Sequence, residues 1–256
     1  MTRKTVLLLS GLDPTGGAGL LADVSVMKAE KVHPLGVPTA LTVQTGKKVT
    51  QIERVSRDYF RRSLEALLDT FTPHGVKIGM VSSPGIAREI FRILRDLQLP
   101  FVVWDPVLHS TFGTPLTPGN ALKILEKILP HCTLVTPNRR ELTQLSSLLG
   151  LKGRTKESLG RQLSEKSATA ILVTGGEGRQ RGMDCLFHQG SMAVFPGRAI
   201  QKKDFHGTGC ALSSMILARL VKGDDLQTAI VYAKEKLEEG LLGGFRSLDG
   251  RWFIGG

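Results

Sequence analysis

The chain has 256 residues, 41% of them hydrophobic and only 5% aromatic, and 34 Lys and Arg against 23 Asp and Glu give a formal charge of +11. That length and apolar share fit one large α/β domain over residues 1–256 better than two small ones. The basic excess is spread over helix-like stretches such as RVSRDYFRRSLEALL and KGRTKESLGRQL, where it reads as a solvated face, and so few aromatics supply little base-stacking surface, which argues against a nucleic-acid partner.

In chain order, TVLLLSG (residues 5–11) reads as the first strand. This N-terminal apolar run is too short for a signal sequence or a membrane span, so a cytoplasmic chain without a membrane partner is expected. Further strands are expected at VPTALTVQT (37–45), VKIGMV (76–81), FVVWDPV (101–107), CTLVTP (132–137) and AILVTGG (170–176). Between most of them run helical stripes: Leu64, Leu67, Leu68 and Phe71; Ile90, Ile93, Leu94 and Leu97; Leu122, Leu125, Ile128 and Leu129. DCLFHQGSMAVFPG breaks the rhythm and reads as a hairpin turning near Gln189-Gly190-Ser191, after which two long helices are expected over 209–221 and 225–242. This βαβα order predicts a mostly parallel sheet with helices on both faces. In such a sheet ligands bind beyond the C-terminal strand ends, and that is where SGLDPTGGAG, QTG, GM, DPV, TPNRRE and TGGEG fall.

No GxxxxGK[ST], GxSxG or HExxH is present, and GTGCAL lacks the third glycine of a dinucleotide fingerprint. The cysteines Cys132, Cys185 and Cys210 are odd in number and form no CxxC, so reduced thiols and no metal–thiolate centre are expected. The strongest local chemistry lies in HGTGC ahead of the apolar run ALSSMILARLVKG. Gly207 and Gly209 let backbone N–H groups turn toward one point at a helix N-terminus, which suits a phosphoryl group. Cys210 falls in the first turn of that helix, where a thiol pKa can drop to about 3.5–7.5 and the thiolate can serve as a base. Asn138 and Glu141 have capping-box spacing, and the same glutamate can stand in the water shell of Mg²⁺. Asp105, ahead of Pro106 at a strand end, can cap a turn or face metal and phosphates. Asp13 before Pro14 is a turn signal. Asp23 reads as a solvated residue on an opening helix or as a ligand contact. Met80 and Val107 are core residues or walls of a flat pocket, and Gln44 can read the edge of a heterocycle. His206 and His109 read as turn or packing residues.

Taken in order, GLDPTGGAGLLAD, VQT, KIGM, WDPV, TPNRRE, VTGG and HGTGCALSS make almost the whole chain resemble the hydroxymethylpyrimidine/phosphomethylpyrimidine kinases of the ribokinase superfamily. The resemblance implies a ribokinase-like three-layer α/β/α fold. It also implies phosphoryl transfer from ATP to 4-amino-5-hydroxymethyl-2-methylpyrimidine, and then to its monophosphate, for thiamine synthesis. Gly11, Asp23 and Gln44 then match positions around the pyrimidine, with Ala18, Val43, Met80 and Val107 lining it. Asp105 and Asn138 match the nucleotide side together with Thr174, Gly175 and Gly176, and Glu141 holds Mg²⁺ through water. Gly207, Thr208, Gly209 and Cys210 match the anion hole and catalytic base. A homodimer and a monovalent cation are further implications.

Three stretches depart from the family pattern. Thr174 stands where a lysine is usual, which implies weaker nucleotide affinity or a changed donor. QTGKK replaces Gln-Asn-Thr, and the ending RSLDGRWFIGG matches nothing. Competing readings are a pyridoxal or pyridoxine kinase with the same fold, a catalytically weak pyrimidine-binding regulator, and a basic nucleic-acid binder.

Overall fold

The computed structural model describes residues 3–175, 182–197 and 205–255. Strands and helices alternate as β1 (Thr5–Leu12), α1 (Gly19–Ala29), β2 (His33–Gln44), β3 (Val49–Arg54), α2 (Arg57–Leu68), β4 (Gly75–Ile78), α3 (Pro84–Asp96), β5 (Val102–Trp104) and α4 (Gly119–Leu125). They continue as β6 (Leu134–Val135), α5 (Arg139–Leu148), α6 (Lys156–Ser167), β7 (Ala170–Val173), the hairpin β8 (Asp184–His188) and β9 (Ser191–Phe195), β10 (Phe205–His206), α7 (Thr208–Lys222), α8 (Leu226–Leu242), β11 (Phe245–Arg246) and β12 (Trp252–Phe253).

The main sheet runs β3-β2-β1-β4-β5-β6-β7-β8-β9. Its centre from β2 to β7 is parallel, and β3, β8 and β9 add antiparallel edges. Period-two alternation sorts β1 between the layers. Leu7 and Leu9 pack with Ile90, Ile93 and Leu145, whereas Val6 and Leu8 pack with Ile216, Leu217 and Ile230. Both sets are shielded from solvent, which makes three layers: helices, sheet, helices. The strand order reverses between β1 and β4, and a crevice opens at such a switch point beyond the strand ends.

Several boundaries differ from the sequence reading. The third helical stripe breaks after Leu125 into a 3-10 turn over Glu126–His131, because Pro130 has no N–H for the α-helical ladder. The stripe ending at Phe71 outruns α2, which stops at Leu68. β3 was not anticipated, although VTQIER alternates, because its exposed face carries no continuous apolar run. The hairpin turn falls at Gln189 and Gly190, both at positive φ, as a tight two-residue loop requires. The C-terminal strands β11 and β12 join β10 in a small separate sheet, in the order β10-β12-β11. No helix among the described residues is long and apolar enough to cross a membrane.

Candidate active site

A cavity of about 650 Å³ lies along the C-terminal strand ends, and Gly11, Ala18, Gln44, Met80, Asp105, Val107, Asn138, Glu141, Thr174, Gly175 and Gly207–Cys210 all line it. Residues far apart in sequence therefore meet in one cleft. Gly176 lies outside the described residues. Two expected contacts are placed elsewhere. Val43 is 58% exposed and points away from the cavity, since its neighbours Thr42 and Gln44 face inward and side chains alternate along β2. Asp23 is fully buried behind the start of α7 and does not line the cavity.

The turn before α7 fits only as glycine. Gly207 sits at φ +78°, and a Cβ there would lie 1.7 Å from the carbonyl oxygen of Gly17 in the loop after β1. The two glycine-rich turns thus touch backbone to backbone. Asp13 fastens the first one: its carboxylate accepts from the N–H of Thr15 at 2.8 Å and of Ala18 at 3.0 Å, and pairs with His206 Nε2 at 2.7 Å. Burial pushes the Asp13 carboxyl up, but the bonds from His206 and Thr15 outweigh it and hold its pKa below the usual carboxylate range. His206 is therefore the turn residue that the sequence suggested, tying one glycine loop to the other. No side chain caps α7, so its first N–H groups have no intrahelical acceptor, and with Gly207–Cys210 lining the cavity they are able to receive an anion.

Beneath this helix start lies a buried charge cluster. Lys77, on β4, pairs with the Oδ1 of Asp23 and donates to the carbonyl oxygen of Cys210 at 2.9 Å. Ser214 donates to Asp23 at 2.8 Å, and Ser213 to Asp105 Oδ2 at 3.3 Å. Burial works against the charge of Lys77, yet Asp23 and Asp105 outweigh it and keep the ammonium protonated. The Cys210 thiol lies within hydrogen-bonding reach of Asp105, whose own pKa is raised by burial despite Lys77. For Cys210 the environment reverses the expectation from its helix position. Burial and the neighbouring carboxylates push the thiol above its ordinary value, and Lys77 and the Gly19 N–H only partly offset them. The helix end does not produce an acidic thiol here.

At the far end, Asn138 and Glu141 form a true capping box. Asn138 Oδ1 accepts from the Glu141 N–H at 3.0 Å, and Glu141 accepts from the Asn138 N–H at 2.9 Å. Burial, aided by the Asp105 charge, nonetheless pushes the Glu141 carboxyl up to about 8, against the two backbone bonds from Asn138 and Leu108. Thr174 continues this wall by bridging to Asn138, and its N–H reaches the Pro137 carbonyl at 2.9 Å. The next N–H, of Gly175, is held by Asp184 at 2.8 Å, and Asp184 in turn pairs with Lys234 at 2.5 Å. Lys234 also lines the cavity.

Lys77, Lys234 and Asp184 were missed in the sequence. The available signal was a lysine inside the apolar strand GVKI, and another on the buried Ile230–Ala233 stripe of α8. Among the described residues no cluster of three or more His, Cys, Asp or Glu could hold a metal. Asp105 and Glu141 are instead the sparse oxygen set that suits Mg²⁺, which keeps its waters and binds phosphates. The buried hydroxyls of Ser10 and Thr136 also line the cavity and have no partner among the described residues.

An open α/β sheet, a glycine-formed anion site and a carboxylate-lined cleft at the switch point define a ribokinase-like small-molecule kinase. The phosphomethylpyrimidine kinase family model matches residues 13–251, and the chain belongs to that family. It is 31% identical to a hydroxymethylpyrimidine/phosphomethylpyrimidine kinase of Aquifex aeolicus, over 92% of this chain and 93% of that one. Among solved structures, a phosphomethylpyrimidine kinase from Clostridium difficile 630 matches with a TM-score of 0.78 at 28% identity, covering 93% of this chain and 99% of that one. The ADP complex of Bacillus subtilis pyridoxal kinase matches with a TM-score of 0.89 at 23% identity, covering 99% and 97%, a likeness of fold alone.

Proposed function

We propose that this chain is a cytoplasmic, single-domain kinase that transfers phosphate from ATP to 4-amino-5-hydroxymethyl-2-methylpyrimidine, and then to its monophosphate, supplying the diphosphate for thiamine synthesis. The observation that carries the reading is the meeting of Gly207–Cys210 with Asp105 midway along one cleft. A flat apolar wall of Gly11, Met80 and Val107 lies on one side, and Asn138, Thr174 and Gly175 on the other. The pyrimidine stacks on the apolar wall, with Gln44 at its edge. The nucleotide lies over Asn138 and Gly175, beside the Asp184–Lys234 pair, on the side on which Thr174 supplies no charge. Glu141 would hold Mg²⁺ through its water shell, and the ion would neutralise phosphate charge. The α7 N-terminus stabilises the charge on the transferring group.

In the first transfer the acceptor hydroxyl attacks the γ-phosphorus and ADP leaves. A buried, protonated thiol cannot begin as the free thiolate. The hydrogen-bonded pair solves this by relay: the alcohol proton passes to the sulfur as the thiol proton passes to Asp105. General-base help of this kind is worth about 10²–10⁴-fold. In the second transfer the nucleophile is a phosphate oxygen, already ionised at neutral pH because its second pKa is about 6, and no base is needed.

The test is kcat/KM for both pyrimidines and for pyridoxal, with wild type, Cys210→Ala and Cys210→Ser. Both variants are expected to lose about 10²-fold or more on the alcohol and far less on the monophosphate. Equal losses on the two would make Cys210 a shaping residue of the anion site. Pyridoxal turning over faster than both pyrimidines would reassign the substrate.

A further inference from the structure

QTGKK after β2 and the C-terminal RSLDGRWFIGG, which the sequence reading left without a role, pack on each other. Arg251 is 1% exposed, one of the largest fully buried side chains. Its Nη2 donates to the Phe205 carbonyl at 2.9 Å and to Thr111 Oγ1 at 3.3 Å, and its guanidinium carbon lies 5.1 Å from the Phe112 ring centroid. Gly46 gives way to it, since a Cβ on Gly46 would stand 2.7 Å from Arg251 Cβ. The turn before Arg251 is self-braced: the Ser247 N–H donates to the Arg251 carbonyl at 2.9 Å, and the Arg251 N–H donates to Ser247 Oγ at 3.2 Å. Asp249 in that turn is within hydrogen-bonding reach of the Thr45 side chain and faces Lys47. Thr45, Gly46, Lys47, Thr111, Phe112 and Phe205 all line the main cavity. They surround its Gln44–Val107 end, away from Thr174 and Gly175.

We propose that the C-terminal hairpin backs the outer wall of the acceptor end of the cleft and that Arg251 is the positioning residue of that wall. It pins the Thr111–Phe112 tip and the Gly46 loop to the strand that enters the anion site. The acceptor it serves is a planar heteroaromatic alcohol or its phosphate, and this assignment rests on the proposed reading of which end takes the acceptor. Arg251 holds a binding wall and does not touch the transferring group. Its loss therefore weakens acceptor binding in ground and transition states alike and raises KM with little change in kcat. A guanidinium that contacts a carbonyl, a hydroxyl and a ring face at once is poorly replaced by an ammonium.

The experiment is steady-state kinetics of the full chain carrying Arg251→Lys, Arg251→Met, Phe112→Ala and the double variant Arg251→Met/Phe112→Ala. It varies ATP and, separately, hydroxymethylpyrimidine and pyridoxal. The expected result is a rise of about tenfold in acceptor KM for each single variant, including Arg251→Lys, with kcat and the KM for ATP within about threefold of wild type. The double variant is expected to be no worse than the worse single variant. Equal shifts in both KM values, a fall in kcat alone, or additive losses in the double variant would overturn the proposal. Phe112 is 54% exposed, so Phe112→Ala keeps the test available if a change at Arg251 prevents folding. Turnover of pyridoxal in place of the pyrimidine would refute the substrate reading, and the KM split would then be read on pyridoxal.

Discussion

The α7 side of the cleft and its α5 side are built on different principles. Under α7, the charges are deep: Asp23 and Lys77 are 0% exposed and pair with each other, Lys77 also donating to the carbonyl of Cys210 and Asp23 accepting from Ser214. Over α5, the polar groups are the ordinary furniture of chain termini, with a capping box at Asn138 and Glu141 and a backbone N–H at Gly175 held by Asp184. The first side spends buried charge on fixing one helix start in place. The second starts from local hydrogen bonding that any helix and turn would need, and gains its chemistry from the burial of Glu141 and one buried pair, Asp184–Lys234. Damage on the first side is therefore expected to be severe and general, and damage on the second to be smaller and conditional on pH and Mg²⁺.

The largest effect is expected from Gly207→Ala. A methyl group there meets the Gly17 carbonyl at 1.7 Å and is held at φ +78°, so both glycine turns must move. Activity is expected to fall by at least about 10³-fold, more than loss of one oxyanion donor costs, while α8 and the main sheet stay folded. A circular dichroism spectrum and a turnover assay check this together. Activity within about tenfold of wild type would mean that the α7 start does not need its contact with the first glycine loop.

Next comes Lys77→Met, which leaves Asp23 and Asp105 buried without their shared cation. Removing one partner of a buried pair costs about 3–5 kcal/mol, so the urea midpoint should drop sharply and kcat with it. Asp23→Asn together with Lys77→Met is expected to regain part of the stability, because the carboxylate that paired directly with Lys77 is then uncharged and only Asp105 remains without the cation. A double variant as unstable as Lys77→Met would show that packing, and not charge balance, fixes this side.

The same contrast explains what the sequence disclosed. Gly207, Gly209 and Cys210 were legible because glycines and a thiol at a helix start have few other uses, and the βαβ rhythm placed them at strand ends. Glu141 was ambiguous in sequence because its cap and its burial are both real. Asp23 was misplaced for a physical reason. Its partner Lys77 lies 54 residues away, on a strand of the sheet beneath the helix that carries Asp23, and no local pattern distinguishes a carboxylate that meets a ligand from one that meets a buried lysine. The C-terminal hairpin was invisible for a related reason: β10, β11 and β12 are each two residues long, too short for any periodicity to register.

The smallest effect, and the one that most sharpens the contrast, concerns Glu141. Its carboxyl rises from an ordinary 4.5 to about 8 in the folded protein. Between those values the native state binds more protons at this site than the unfolded chain, so stability contributed by this group falls as pH rises through the window. The slope is at most about 1.4 kcal/mol per pH unit. Glu141→Gln keeps a capping-box side chain without the titration. It is expected to match wild type in melting temperature near pH 5 and to exceed it near pH 8. The same proton must leave for Glu141 to face Mg²⁺ as a carboxylate. Wild-type affinity for Mg²⁺-nucleotide is thus expected to strengthen with pH up to about 8, with proton uptake on release, and the variant to bind more weakly with a flatter profile. Calorimetry in two buffers of different ionisation enthalpy measures the proton count directly. If both proteins melt and bind alike from pH 5 to 9, Glu141 is a helix cap alone.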